Sequence, residues 1–179
     1  MCACLLLSGL VTVWADPLEG KPQDRKVIIE KVAHIYTSQI GVREATGHND
    51  GVEVEKYLST TGAKKGSAWC AAFLSWTFIQ ADVTAIKNAW APSWFPPGKV
   101  IYTKGKPNNK IPDRCDVAGL YSPQKQLIFH VFFVDQWPPN DDYVITVEGN
   151  TNNAGSSEGD GVYKKRRLKQ NIYSVSRWV

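Results

Sequence analysis

Gly66-Ser67-Ala68-Trp69-Cys70-Ala71-Ala72-Phe73-Leu74-Ser75-Trp76 runs from a loop straight into a segment that is apolar on nearly every side. A helix without a polar face belongs in the middle of a core. With Ser67 as N-cap, Cys70 falls in the first helical turn, where unpaired backbone N–H groups and the positive end of the helix dipole favour an anion. A free cysteine titrates near ~8.5 and drops by one to several units at such a position beside a histidine, which makes Cys70 a candidate nucleophile. The same residue also fits a second reading, a small hydrophobe packed in the core. The rest of the chain has to separate the two.

A chain of 179 residues, 43% hydrophobic and 21% charged, suits one domain around one core. Seven Trp, seven Tyr and six Phe are enough both to fill that core and to line a groove. The net charge of +4 is modest and dispersed, and no base-reading motif accompanies it, which argues against a nucleic-acid partner. Residues 2–15 carry no charge and end in Val13-Trp14-Ala15, so 1–15 reads as a secretory signal, although it lacks a basic start. At ~1.5 Å per residue the stretch spans about 21 Å, short of a bilayer core of roughly 30 Å, so no stable membrane insertion is expected. A secreted or periplasmic protein follows. Loss of the signal would leave Cys70 and Cys115 as the remaining cysteines and opens a third reading for Cys70, a disulfide with Cys115. Residues 16–23 hold two prolines and a glycine and read as a tether, leaving 24–179 as the folded domain.

From Asp24, Ile28, Val32, Ile35 and Tyr36 recur at helical spacing, with Gly41 placed to close the helix. His34 lies off that stripe and is expected in solvent. Asn49 or Asp50 can cap a short second helix carrying Val54, Tyr57 and Leu58 and stopped near Gly62. His48 has no second histidine at three or four residues and no alternating oxygen donors behind it, so no metal site is expected there. After the Cys70 helix, residues 88–98 are too rich in proline for regular structure yet carry Trp90, Trp94 and Phe95, a substrate wall or a stapled loop.

From Asp116 the periodicity changes to that of strands. Val117–Tyr121, Gln126–Trp137 and Tyr143–Glu148 are separated by the turns Ser122-Pro123-Gln124-Lys125 and Pro138-Pro139-Asn140-Asp141-Asp142, an antiparallel meander. In the middle strand both alternating sets are apolar: Leu127, Phe129, Val131 and Phe133 on one side, Ile128, Phe132 and Val134 on the other, with His130 among the latter. With the second turn centred near Asn140, facing residues have numbers adding to about 280, which sets His130 opposite Asn150 and Phe132 opposite Glu148. Glu148 and Asn150 then share the face of His130, as an oriented general base requires. Two further strands, Val162–Arg167 and Ile172–Val179, would complete the sheet, with Lys164-Lys165-Arg166-Arg167 as a solvated edge.

The order Cys70, His130, Glu148/Asn150 resembles papain-like cysteine hydrolases, and more closely the CHAP family of peptidoglycan amidohydrolases and endopeptidases. The resemblance is carried by Trp69-Cys70-Ala71-Ala72-Phe73, Asp116-Val117, His130-Val131, Val147-Glu148-Gly149-Asn150-Thr151, Gly161-Val162-Tyr163 and Ser176-Arg177-Trp178. It implies an α+β papain-like (CHAP) fold with N-terminal helices and a central nucleophile helix packed on an antiparallel sheet. It further implies Cys70 as nucleophile, His130 as base, Glu148 as the residue orienting the histidine, Asn150 as accessory, and peptidoglycan as the partner of a monomer without metal or cofactor. Trp69, Trp90 and Trp94 are the expected substrate-contacting aromatics. A histidine that must accept a proton implies activity at neutral pH and above. Cys115 departs from the glycine that the family commonly has before its Asp-Val strand. Amidase and endopeptidase activity, acyl transfer to another nucleophile, and wall binding without catalysis all remain compatible with these residues.

Overall fold

The computed structural model describes residues 22–107, 109–153 and 159–179, so the expected signal at 1–15 and most of the tether lie outside the described residues. Helix α1, Pro22–Ser38, starts two residues before the expected boundary. Proline suits a first helical position because its missing N–H has no partner to lose there. Its buried stripe is Ile29, Val32, Ala33 and Tyr36, while Ile28 is 37% exposed. The expected stripe was therefore one residue out at its start, since 29, 32, 33 and 36 keep the helical period and 28 falls beside it. His34 is exposed as expected.

Helix α2, Val52–Thr61, buries Val54, Tyr57 and Leu58 and ends on Gly62 at φ 70°. Its N-cap is Gly51 rather than Asn49 or Asp50. The Asp50 carboxylate is already engaged, accepting from the Thr46 N–H at 2.9 Å and the Thr46 hydroxyl at 2.8 Å. Helix α3, Cys70–Gln80, buries residues on all sides, including Cys70, Ala71, Ala72, Phe73, Leu74 and Phe78. Its N-cap is Trp69, which makes no side-chain cap bond; Ser67 is not the cap. A short 3-10 turn, Ala91–Trp94, follows in the proline-rich stretch.

The sheet has six strands, all antiparallel: β1 (Val100–Thr103), β2 (Val117–Ser122), β3 (Leu127–Gln136), β4 (Tyr143–Thr151), β5 (Gly161–Leu168) and β6 (Ser174–Ser176). Their spatial order is β1-β6-β2-β3-β4-β5, so the described residues form a mixed α+β fold with three helices beside one sheet. The meander over β2, β3 and β4 is present, and Phe133 faces Val147 while Val134 faces Thr146, the register expected from the Asn140 turn. Two features depart from expectation. The short β6 sits inside the sheet between β2 and β1, and β1 itself is built from a stretch that carried no strand signal.

Strand β3 also contains a bulge. Leu120 pairs with His130 and Tyr121 with Ile128, leaving Phe129 as the extra residue. The alternation expected along the whole strand therefore breaks: Ile128 joins Val131 and Phe133 in the core against the helices, whereas Phe132 and Val134 enter a smaller core on the opposite face. Phe133 anchors the helical side, stacked on Tyr36 at 4.8 Å and edge-on to Phe78 at 5.3 Å.

Candidate active site

Helix α3 presents Cys70 at its first position, β3 presents His130 just after the bulge, and β4 presents Glu148 near its end. His130 Nε2 lies 3.0 Å from Glu148 Oε2, with the two side chains 2% and 0% exposed. Cys70 is close enough that His130 and the backbone N–H groups of Val131 and Ala71 act on its thiol. The bulge precedes His130 and shifts the face of Ile128, while from His130 to Phe133 the strand keeps a regular register against β2.

Glu148 is held on every side. Arg167 on β5 grips it with two bonds, Nη2 donating to Oε2 at 2.6 Å and Nε to Oε1 at 2.5 Å. The Thr146 hydroxyl donates to Oε1 at 2.6 Å. Arg167 was expected as a solvated edge charge; only 13% of its side chain is exposed, because it pairs with the fully buried Glu148 carboxylate. Thr146 was open to detection, since it lies two residues from Glu148 and strand alternation puts both on one face. Arg167 was not, because the connection between β4 and β5 is too long to set a register.

Asn150 does not reach the histidine side of the site. It occupies the left-handed region at φ 55°, within the register break between Glu148 and Thr151. With its amide oriented to satisfy both ends, its oxygen accepts from the Trp69 N–H at 3.0 Å, and its nitrogen donates to Gly159 O at 3.1 Å and Asn49 Oδ1 at 3.3 Å. Asn150 thus supplies from β4 the cap that Ser67 was expected to supply locally.

Two of the three aromatics expected at substrate are core residues. Trp69 is fully buried, its indole N–H donating to Glu44 Oε1 at 2.8 Å and its ring packed on Tyr57 at 5.6 Å. Trp94 is fully buried between Phe78 at 5.7 Å and Trp178 at 5.2 Å. Neither has a ring face left for a ligand. Trp90 is 57% exposed and walls a cleft of about 180 Å³ with Cys70, Ala89, Lys125 and Phe129. A wider groove of about 440 Å³, lined by Thr61, Ser67 and Lys87, shares Ala68, Ala89 and Trp90 with that cleft.

The electrostatics change the expected division of labour. Burial alone would push the Cys70 thiol up, but the hydrogen bond and charge of His130, with the N–H groups of Val131 and Ala71, outweigh it and hold the thiol below its usual value. Burial would lower His130, yet hydrogen bonds and charge from Cys70 and Glu148 raise it to about 9. Burial would raise Glu148, but Arg167 and His130 bring it down to about 2. The three shifts run in one direction, each favouring the charged form of its group. The proton of the group is thereby drawn to His130, between Cys70 and Glu148.

Cys70 and Cys115 are both free thiols, so the disulfide reading fails. Cys115 lies under α1 with its Sγ 3.1 Å from the Ile29 carbonyl, and burial pushes its thiol up to about 12. Among the described residues no helix is long and apolar enough to cross a membrane. Searches with the sequence find no matching family model and no matching curated protein.

Proposed function

We propose that this protein is a cysteine amidohydrolase of the papain-like, CHAP type that cleaves an amide bond of peptidoglycan. The observation that carries the proposal is the buried group Cys70, His130, Glu148, a thiol at a helix start whose ionisation His130 favours, with the histidine's Nε2 meeting a carboxylate at 3.0 Å. A buried cysteine serving only as a small hydrophobe has no use for a paired histidine. The wall polymer as substrate is supported by the sequence resemblance and by an open cleft bordered by Trp90, Lys87 and Lys125, an arrangement suited to an extended anionic chain. Action outside the cytoplasm belongs to the same proposal.

The Cys70 thiolate attacks the carbonyl carbon, forming the S–C bond. The developing oxyanion meets the Cys70 N–H, which has no intrahelical partner at the helix start; one such donor contributes ~3 to 4 kcal/mol. Collapse breaks the C–N bond as His130 gives its proton to the departing amine. Water, deprotonated by His130, then attacks the thioester and releases a carboxylic acid, restoring thiolate and imidazolium. Glu148 keeps the imidazolium oriented throughout and does not take its proton.

The test is digestion of purified sacculi by the protein, Cys70→Ala and His130→Ala, with new termini identified by mass spectrometry. The parent should release amine and carboxyl ends in equal number, and either variant should fall below about a thousandth of parental rate while keeping its circular dichroism spectrum. A folded variant of either residue that keeps a tenth of the rate defeats the proposal. Appearance of acyl adducts on an added amine, without free acid, would reassign the protein to acyl transfer.

A further inference from the structure

The turn that follows Arg43 meets the chain just ahead of Cys70 and has no part in the chemistry described so far. Asn49 anchors it from both backbone and side chain. Its carbonyl accepts from the Gly66 N–H at 3.3 Å, and its Nδ2 donates to the Gly66 carbonyl at 3.3 Å. Its Oδ1 accepts from the Asn150 amide at 3.3 Å. These bonds are made from a left-handed backbone, φ 56°, which asparagine tolerates better than most residues. Glu44 closes the turn with both carboxylate oxygens: Oε2 accepts the Asn49 N–H at 2.9 Å, and Oε1 accepts the Trp69 indole N–H at 2.8 Å. Trp69 is thereby fixed at every polar atom it has. Its backbone N–H donates to the Asn150 amide oxygen at 3.0 Å, its carbonyl accepts from the Phe73 N–H at 2.9 Å, and its indole is on Glu44. The side chain is fully buried. With both backbone groups and the side chain bonded, the φ, ψ and χ angles of Trp69 are set, so the peptide group that follows has one orientation. That peptide group carries the Cys70 N–H.

We propose that Glu44 and Asn49 are positioning residues for the oxyanion donor: through Trp69 they hold the Cys70 N–H in the direction that the tetrahedral intermediate requires. The inference rests on the cysteine-hydrolase reading above and adds to it two residues outside the group of Cys70, His130 and Glu148. A donor aimed in advance stabilises developing charge without reorganising at the moment of reaction, so a loosened peptide plane costs rate even where the thiolate is intact. The ionisation of the thiol has other causes, His130 and the N–H groups of Val131 and Ala71. Loss of Glu44 or Asn49 should therefore impair the oxyanion step and spare the nucleophile.

Two reactions of Cys70 separate these roles. Acylation by p-nitrophenyl acetate passes through an oxyanion, whereas alkylation by iodoacetamide displaces iodide at a saturated carbon and forms none. Both need the thiolate. The variants are Glu44→Ala and Asn49→Gly, the second keeping the left-handed backbone while removing the amide. Each should lower the acylation rate about ten- to a hundredfold, short of the loss from deleting an oxyanion donor outright. Glu44→Gln, which still offers an oxygen to the indole, should recover most of that loss. Iodoacetamide should label Cys70 at the parent's rate and with the parent's pH dependence in every variant, with Cys115 unlabelled as the sign of an intact fold. On sacculi fragments the loss should fall on kcat and leave KM unchanged. Should Glu44→Ala admit the reagent to Cys115, Asn49→Gly carries the comparison. Acylation and alkylation slowing together, or acylation unchanged in the folded variants, overturns the positioning role. A parent that is acylated, with slow variants, but leaves sacculi intact supports that role and defeats the peptidoglycan reading. A parent that is alkylated but not acylated overturns both.

Discussion

His130 stands between a thiol and a carboxylate, and those two neighbours together determine where its proton sits. Raised to about 9, it should impose a basic limit on turnover near that pH, while loss of the thiolate sets the acid limit; a pH profile of kcat/KM on sacculi fragments should be bell-shaped. Glu148→Gln removes the charge but keeps the shape. The basic limb should then move toward lower pH, and the rate should fall about 10- to 100-fold, less than the loss from removing His130. The same groups link stability to pH. His130, raised from 6.5, contributes stability that is complete below that value and is lost as pH rises through about 9. Glu148, lowered from 4.5, contributes stability that is present above that value and is lost as pH falls toward about 2. Arg167 has a different task. Arg167→Met removes the bidentate partner of a fully buried carboxylate, leaving His130 as its charged neighbour, and should cost about 3 kcal/mol in urea denaturation. Combining it with Glu148→Gln should recover much of that loss, because the stranded charge is gone.

At the scale of elements, the site depends on how closely β4 meets the start of α3. A Cβ on Gly149 would sit 2.7 Å from Trp69 Cζ3 and 3.0 Å from Phe73 Cβ, so this position admits only glycine between a strand and a buried helix. Gly149→Ala should destabilise by about 1 to 3 kcal/mol, read as a lower urea midpoint with an unchanged slope. Asn150, the next residue, ties the same strand to the Trp69 N–H. Asn150→Ala should lose stability by about 1 to 2 kcal/mol, through the lost cap and a left-handed backbone without its amide. The pH profile of its remaining activity should match the parent's. A displaced basic limb in that variant would show that Asn150 acts on the histidine after all.

Across the whole molecule, the two thiols sit in opposite environments. Cys70 borders the cleft and is held below its ordinary value, whereas Cys115 is sealed under α1 and pushed up to about 12. Iodoacetamide at neutral pH should therefore label Cys70 in the folded protein long before Cys115, and both after denaturation, as peptide mapping would show. Labelling of Cys115 first would contradict the layered core. The faces of the sheet also differ in kind. The helices cover one face with an aromatic core, and the other carries a smaller core of Ala118, Phe132, Val134, Val144, Ile172 and Val175. His130 neighbours that second side through Phe132, whose ring lies 5.5 Å away.

What the sequence determined by itself was whatever near neighbours encode. An apolar run with Cys70 at its start makes a buried helix, and a short Pro-Pro-Asn-Asp-Asp turn sets the register that brings His130 and Glu148 to one region. Tertiary structure decided what depends on distant partners. Trp69 and Trp94 became core rather than wall because the helix and the strands close over them, a matter on which their own neighbours are silent. Asn150 turned from the histidine to the helix start because a register break rotated it, and alternation cannot foresee a break. Arg167 left a run of surface charges because a buried carboxylate on β4 required a cation. The pairing that delivers it follows a long connection, so only the folded molecule could select it.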